Sequence, residues 1–120
     1  MKILLAEDDN LIRKTIEIRL VKDGHVIIAC AEGTTALENL KSDPPDMVIT
    51  DIMLPSASGL EIVSAVKDVV ADKPIKVIVL SAMGQEDIVE EAFKLGADDY
   101  MTKPFSLTEL SIRVKKLSGK

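Results

Sequence analysis

The stretch VITDIMLPSASGLEIV, residues 48–63, sets a lone carboxylate, Asp51, at the end of an apolar run. An acid there is either a turn cap or a reactive group held at the mouth of a sheet. Other strand-like runs end in the same way: the first in Glu7-Asp8-Asp9, the fourth in Ser81, and the fifth just short of Lys103-Pro104. If these runs are parallel strands, their carboxyl ends share one rim, the edge where wound parallel sheets bind ligands. Carboxylates so close repel, so some must be protonated or neutralised by a cation. Oxygen-only ligands from two loops suit Mg²⁺, which favours hard oxygens and retained waters. Zinc does not suit a rim without histidine, where the nearest cysteine, Cys30, ends an outer strand. Acid, metal, the Lys103 ammonium and the Ser81 hydroxyl together make a receptor for a phosphoryl group held covalently by Asp51. Asp51 as a mere cap leaves the rest of the rim without a purpose.

Ten elements must position these residues. The sequence predicts strands over residues 2–7, 26–30, 47–51, 75–81 and 98–101, alternating with helices over 10–22, 33–41, 58–70, 85–95 and 106–117. Ser58-Gly-Leu-Glu61 and Ser106-Leu-Thr-Glu109 have capping-box spacing, in which hydroxyl and carboxylate each satisfy a backbone N–H. Leu107, Leu110, Val114 and Leu117 form one helical stripe. KILLA, DMVIT and IKVIVL are nearly continuous hydrophobes, as expected of parallel strands covered on both faces. Strand and helix in regular alternation imply an α/β fold, a five-stranded parallel sheet wound with helices on both sides. The second strand offers the rim only Cys30 and Ala31, which fits an edge position.

The chain has 120 residues, 47% of them hydrophobic and 29% charged, which suits a single domain spanning 1–120 with one full core. No apolar run approaches the roughly 20 residues of a membrane span. MKILLAEDD turns acidic before a signal peptide could develop, so the expected setting is cytoplasmic. Cys30 has no partner for an internal disulfide and reads as a buried small hydrophobe. A net charge of −5 argues against nucleic acid as a ligand of this chain. Arg113, Lys115, Lys116 and Lys120 read as the solvated end of the last helix, complementing its dipole. His25, beside Gly24, reads as a surface turn residue, Asp9 as the N-cap of the first helix, and Asp98 and Asp99 as surface turn acids. Tyr100 alone would pass as a packed strand aromatic, and Met53 and Met83 as core filler.

The residues LLAEDD (4–9), DIMLPSASGLE (51–61), VIVLSA (77–82) and GADDYMTKPF (96–105) resemble the receiver domains of two-component response regulators. The resemblance covers essentially the whole chain, with the motifs in family order and spacing. It implies the flavodoxin-like, CheY-like (βα)5 fold. By that resemblance Asp51 is the phosphoacceptor, Glu7 and Asp8 position Mg²⁺ with Asp51, and the Met53 backbone carbonyl is a further metal ligand. Lys103 would contact the phosphoryl group, and Ser81 and Tyr100 would be a switch pair. A cis peptide is expected at Lys103-Pro104, the one kind of linkage where cis costs little.

The implied function is phosphorelay signalling. A sensor histidine kinase or phosphotransfer protein donates the phosphoryl group, and a downstream output domain or effector reads the switch. The chain would assist its own phosphorylation and dephosphorylation rather than turn over an external substrate. The alternative is a Mg²⁺-dependent aspartyl phosphohydrolase. That class commonly has a second acid two residues after the nucleophile, where this chain has Met53, and a cap element that no segment here supplies. No output module is visible after the last helix. Glu109, Arg113, Asp98 and Asp99 resemble the charged dimer face of receivers linked to winged-helix domains, from which Val89 and Lys94 depart. The expected state is a monomer or a weak, phosphorylation-dependent dimer.

Overall fold

The computed structural model describes residues 1–69, 71 and 73–119. The elements run β1 (Lys2–Ala6), α1 (Asn10–Lys22), β2 (Val26–Cys30), α2 (Gly33–Ser42), β3 (Met47–Asp51), α3 (Gly59–Val66), β4 (Lys76–Ser81), α4 (Glu86–Leu95), β5 (Asp99–Thr102) and α5 (Leu107–Leu117). All five strands are parallel, in the order β2-β1-β3-β4-β5. This is the expected α/β architecture, with β2 at an edge.

The two-residue period of the strands divides the core between two faces. Ile3, Leu5, Met47, Ile49, Ile78 and Leu80 pack with Ile16 and Leu20 of α1 and Leu110 and Val114 of α5. Leu4, Ala6, Val48, Val77 and Val79 pack on the opposite face with residues of α2, α3 and α4. The central strands are therefore apolar on both faces, which is why their sequences read as unbroken hydrophobic runs. The predicted α5 stripe holds: Leu110 and Val114 are buried, and Leu107 and Leu117 pack at the edge of the same cluster.

Three helices, α1, α3 and α5, start on side-chain caps. Asp9 accepts the Ile12 N–H at 2.9 Å. Ser58 and Glu61 complete the expected capping box at α3. At α5 only half of the expected box forms: Ser106 Oγ accepts the Glu109 N–H at 3.2 Å, while the Glu109 carboxylate pairs instead with Arg113 at 2.8 Å. α3 is shorter than the predicted 58–70. After Val66 the N–H groups of Lys67, Asp68 and Val69 turn to carbonyls three residues back, tightening the last turn out of the α-helix. The predicted end at Val70 lies outside the described residues, as does Lys120. β5 starts one residue later than predicted, because Asp98 exchanges its N–H and its carboxylate with the Val77 backbone, each at 2.8 Å.

Candidate functional site

The order 2-1-3-4-5 reverses direction between β1 and β3, so the loops after those two strands diverge and leave a crevice. Glu7 stands just past β1 and Asp51 ends β3, one on each side of that crevice. Glu7 is fully buried and Asp51 only 4% exposed, while Asp8 beside them is open to solvent. One carboxylate oxygen from each of these three acids lies within 4.8 Å of the others. Lys103 enters from the β5–α5 connection, its backbone N–H fixed to the Ser81 carbonyl at 2.8 Å. The Lys103–Pro104 peptide is cis, as expected. The Lys103 ammonium lies 2.7 Å from both Glu7 Oε1 and Asp51 Oδ1.

Two buried carboxylates and a half-buried ammonium at this distance set one another's protonation. Burial, and then the Glu7 carboxylate against it, push the Asp51 carboxyl up to about 8, against the pull of Lys103. Burial would also raise Glu7, but the neighbouring Asp51 carboxyl, the Lys103 ammonium and the Asp9 N–H outweigh it and hold Glu7 below its ordinary range. Burial would lower Lys103, but the two carboxylates keep its ammonium proton bound more firmly than usual. With no cation present, Asp51 therefore keeps a proton near neutral pH while Glu7 stays ionised. Glu7 Oε1 and Asp51 Oδ1 lack a well-directed hydrogen-bond donor, because Lys103 approaches both off-axis, as an ion-pair partner. Two buried carboxylate oxygens short of donors, with a third acid open to water, fit a hard divalent cation.

Two supporting residues escaped the sequence reading. Arg13 donates to the Glu7 carbonyl at 2.8 Å and to Asn10 Oδ1 at 2.5 Å, clamping the acidic turn from the first turn of α1. The signal was there: a cation in the first turn of a helix opposes the dipole and so asks for a nearby acceptor. Thr50 is fully buried and donates to the Asp51 carbonyl at 2.9 Å, holding the backbone that carries the acid.

Ser81, 3% exposed, ends β4 on the same rim. It lines a cavity of about 300 Å³ together with Val89, Phe93, Tyr100 and Thr102 among others. Tyr100 turns outward and is 42% exposed, so its ring is not the packed strand aromatic that composition alone suggests. Met53 and Met83, 62% and 80% exposed, are not core filler either: they stand on the loops leaving β3 and β4. Val89 is buried, so it takes no part in a charged outer face. Asp98 and Asp99 are more than surface acids. Asp98 holds β4, and Asp99 Oδ1 receives Arg113 Nη1 at 2.7 Å. His25 is half-buried, its Nδ1 3.3 Å from the N-terminal amine. Cys30 is buried, as expected.

No helix among the described residues is long and apolar enough to cross a membrane. The family model described as the response regulator receiver domain matches residues 3–115. Response regulator RR06 of Streptococcus pneumoniae is 39% identical over 98% of this chain and 52% of its own length. The receiver domain of the Francisella response regulator 1452 superposes with a TM-score of 0.85 at 33% identity, covering 97% of this chain and 94% of that one. Chemotaxis response regulator CheY4 of Vibrio cholerae does so with a TM-score of 0.86 at 26% identity, covering 96% of each chain. The chain spans about half the length of the curated relatives it matches. None of these similarities supports a phosphohydrolase. The sheet order, the acidic crevice and the match over nearly all of the sequence agree: this chain belongs to the response regulator receiver domain family.

Proposed function

We propose that this domain takes a phosphoryl group from a histidine kinase or phosphotransfer protein onto Asp51, with Mg²⁺ held by Glu7, Asp8, Asp51 and the Met53 carbonyl. The observation that carries the reading is the pair of buried carboxylates, Glu7 and Asp51, spanned by the half-buried Lys103 ammonium at 2.7 Å from each. When bound, the metal neutralises negative charge on the carboxylates and on the incoming phosphoryl oxygens. The remaining work belongs to the chain. Asp51 must give up its proton before a carboxylate oxygen can attack phosphorus, and binding of a cation at the site would displace that proton to solvent. As the new bond to that oxygen forms, the bond to the donor imidazole nitrogen breaks, and the electron pair leaves with the nitrogen. Lys103 already spans Glu7 and Asp51, so it can follow the charge from the carboxylate to the phosphoryl oxygens without crossing the site. Burial strengthens each of these contacts relative to water.

Ser81 at the rim and outward Tyr100 across the cavity give the phosphorylated acid a route to the outer surface. The Ser81 hydroxyl moves toward the phosphoryl oxygens, and the Tyr100 ring takes the space it leaves. The module works in the cytoplasm, as a monomer or a weak dimer when phosphorylated, and controls an output domain or effector. It is a phosphoacceptor that assists its own chemistry rather than an enzyme with turnover on other substrates. Incubation with an autophosphorylated histidine kinase carrying labelled phosphate tests this: label should move to the parent chain and not to Asp51→Asn. Equal labelling of the two would overturn the reading.

A further inference from the structure

The loop leaving Asp51 is tied to a helix for which the chemistry above has no use. The Ala57 N–H donates to the Pro55 carbonyl at 2.9 Å, with Ser56 between them at φ 68°. That is a γ-turn with its central residue in the left-handed region, a tight and strained conformation. Among the described residues Ser56 is the one non-glycine with positive φ. Its side chain is spent on α2: Oγ accepts the Thr34 N–H at 3.2 Å and lies 2.8 Å from Thr34 Oγ1. The Pro55 carbonyl takes a second bond, from the Gly33 N–H at 3.0 Å. Glu32, the N-cap residue of α2, makes no side-chain cap bond. Two of the N–H groups that a helix start leaves open are thus satisfied from another loop.

The fit is close at both ends of that loop. A Cβ on Gly33 would stand 1.9 Å from the Ala57 carbonyl oxygen, and one on Gly59 would stand 1.9 Å from the Asp51 carbonyl oxygen. The segment from Asp51 to Gly59, which includes Met53, is pinned against α2 on one side and against its own start on the other.

We infer that Ser56 is a positioning residue for the cation site: its hydroxyl caps α2 in place of Glu32 and thereby fixes the loop that carries Met53. The inference rests on the metal reading proposed above. A glycine would adopt the same turn without strain but could not cap the helix. An asparagine tolerates the left-handed region and offers a carbonyl oxygen to the helix N–H groups. The coupling runs both ways, so a filled cation site should protect the first turn of α2.

The test compares the parent with Ser56→Ala, Ser56→Gly and Ser56→Asn by Mg²⁺ titration calorimetry and by amide exchange at Gly33, Thr34 and Ala36 in metal-free protein. Ser56→Ala and Ser56→Gly should weaken Mg²⁺ binding about three- to tenfold, the scale of one lost capping bond, and speed exchange in α2. Ser56→Asn should stay near the parent in both. Parent-like Mg²⁺ affinity in Ser56→Gly would overturn the inference, because the hydroxyl would then be dispensable. If the parent itself fails to bind Mg²⁺, the proposed function falls instead. The exchange data then decide the latch alone: faster exchange in Ser56→Ala and Ser56→Gly upholds it, and unchanged exchange overturns it.

Discussion

Phe93 and Tyr100 meet edge to face, their ring centroids 5.8 Å apart and their planes at 90°. The contact holds the Tyr100 ring on the outside of the sheet, across a cavity from the buried Ser81 hydroxyl. An edge-to-face pair is worth about 0.5–1.5 kcal/mol. That is the right size for a restraint that phosphorylation must overcome. Phe93→Ala should therefore shift Tyr100 toward the inward position before any phosphorylation. NMR shifts around Tyr100 on adding a beryllofluoride phosphate mimic should become smaller, because part of the change has already occurred.

Ser81→Ala should act from the other end of the same path. Asp51 keeps Lys103 and its acidic neighbours, so phosphate acceptance should persist. The pull that vacates space for the Tyr100 ring is gone, so beryllofluoride should move the Tyr100 resonances less than in the parent. Equal shifts in the two proteins would remove Ser81 from the mechanism.

Magnesium and pH should be linked through Asp51. Its carboxyl is raised to about 8 in the folded state, so the folded chain binds a proton that the unfolded chain has already released. Metal-free stability from this group is fully present below the ordinary carboxylate range and is lost as pH rises toward about 8. Mg²⁺ held at this site would compete with that proton, so its affinity should tighten over the same window and binding should release protons. At tenfold excess over its dissociation constant, Mg²⁺ should stabilise the fold by about 1.4 kcal/mol. Asp51→Asn should raise metal-free stability at neutral pH and blunt the Mg²⁺ response. Thermal unfolding by circular dichroism, with and without Mg²⁺ across this pH range, is the measurement.

The exposed methionines should lengthen the life of the phosphorylated state. Met53 and Met83 lie two residues beyond Asp51 and Ser81, exposed on the loops leaving β3 and β4, where they would flank the path of an attacking water. Hydrolysis needs a water in line with the aspartyl oxygen, and thioethers can crowd that water but orient it poorly. Met53→Asn, alone or with Met83→Glu, should speed loss of phosphate several-fold to about tenfold, or about 1 to 1.4 kcal/mol of barrier. Decay of labelled phosphoprotein in excess Mg²⁺, after removal of the donor, reads this directly. Unchanged decay in both variants would leave the lifetime to another cause.

The crevice was legible because it rests on one simple rule: parallel strands deliver their carboxyl ends to one rim. Glu7, Asp51, Ser81 and Lys103 sit at or just past strand ends, and their positions follow once the apolar runs are read as strands. Arg13, Thr50 and Ser56 were not legible in that way. Each acts on backbone atoms: Arg13 on the Glu7 carbonyl, Thr50 on the Asp51 carbonyl, Ser56 on the Thr34 N–H. Such contacts leave no periodic trace. The direction of Tyr100 was hidden for a related reason, because strand propensity does not say whether an edge aromatic finds a partner such as Phe93. The exposure of Met53 and Met83 depends on loops that period-2 and period-3.6 patterns do not describe.

The central claim is covalent phosphorylation at Asp51, and intact-protein mass spectrometry tests it most directly. The chain is incubated with a small-molecule acyl phosphate and Mg²⁺, then weighed beside Asp51→Asn treated in the same way. The account predicts one added phosphoryl group on the parent, lost on brief alkaline treatment as an acyl phosphate must be, and none on Asp51→Asn. An equal gain on both proteins, or an alkali-stable gain on the parent, would contradict it.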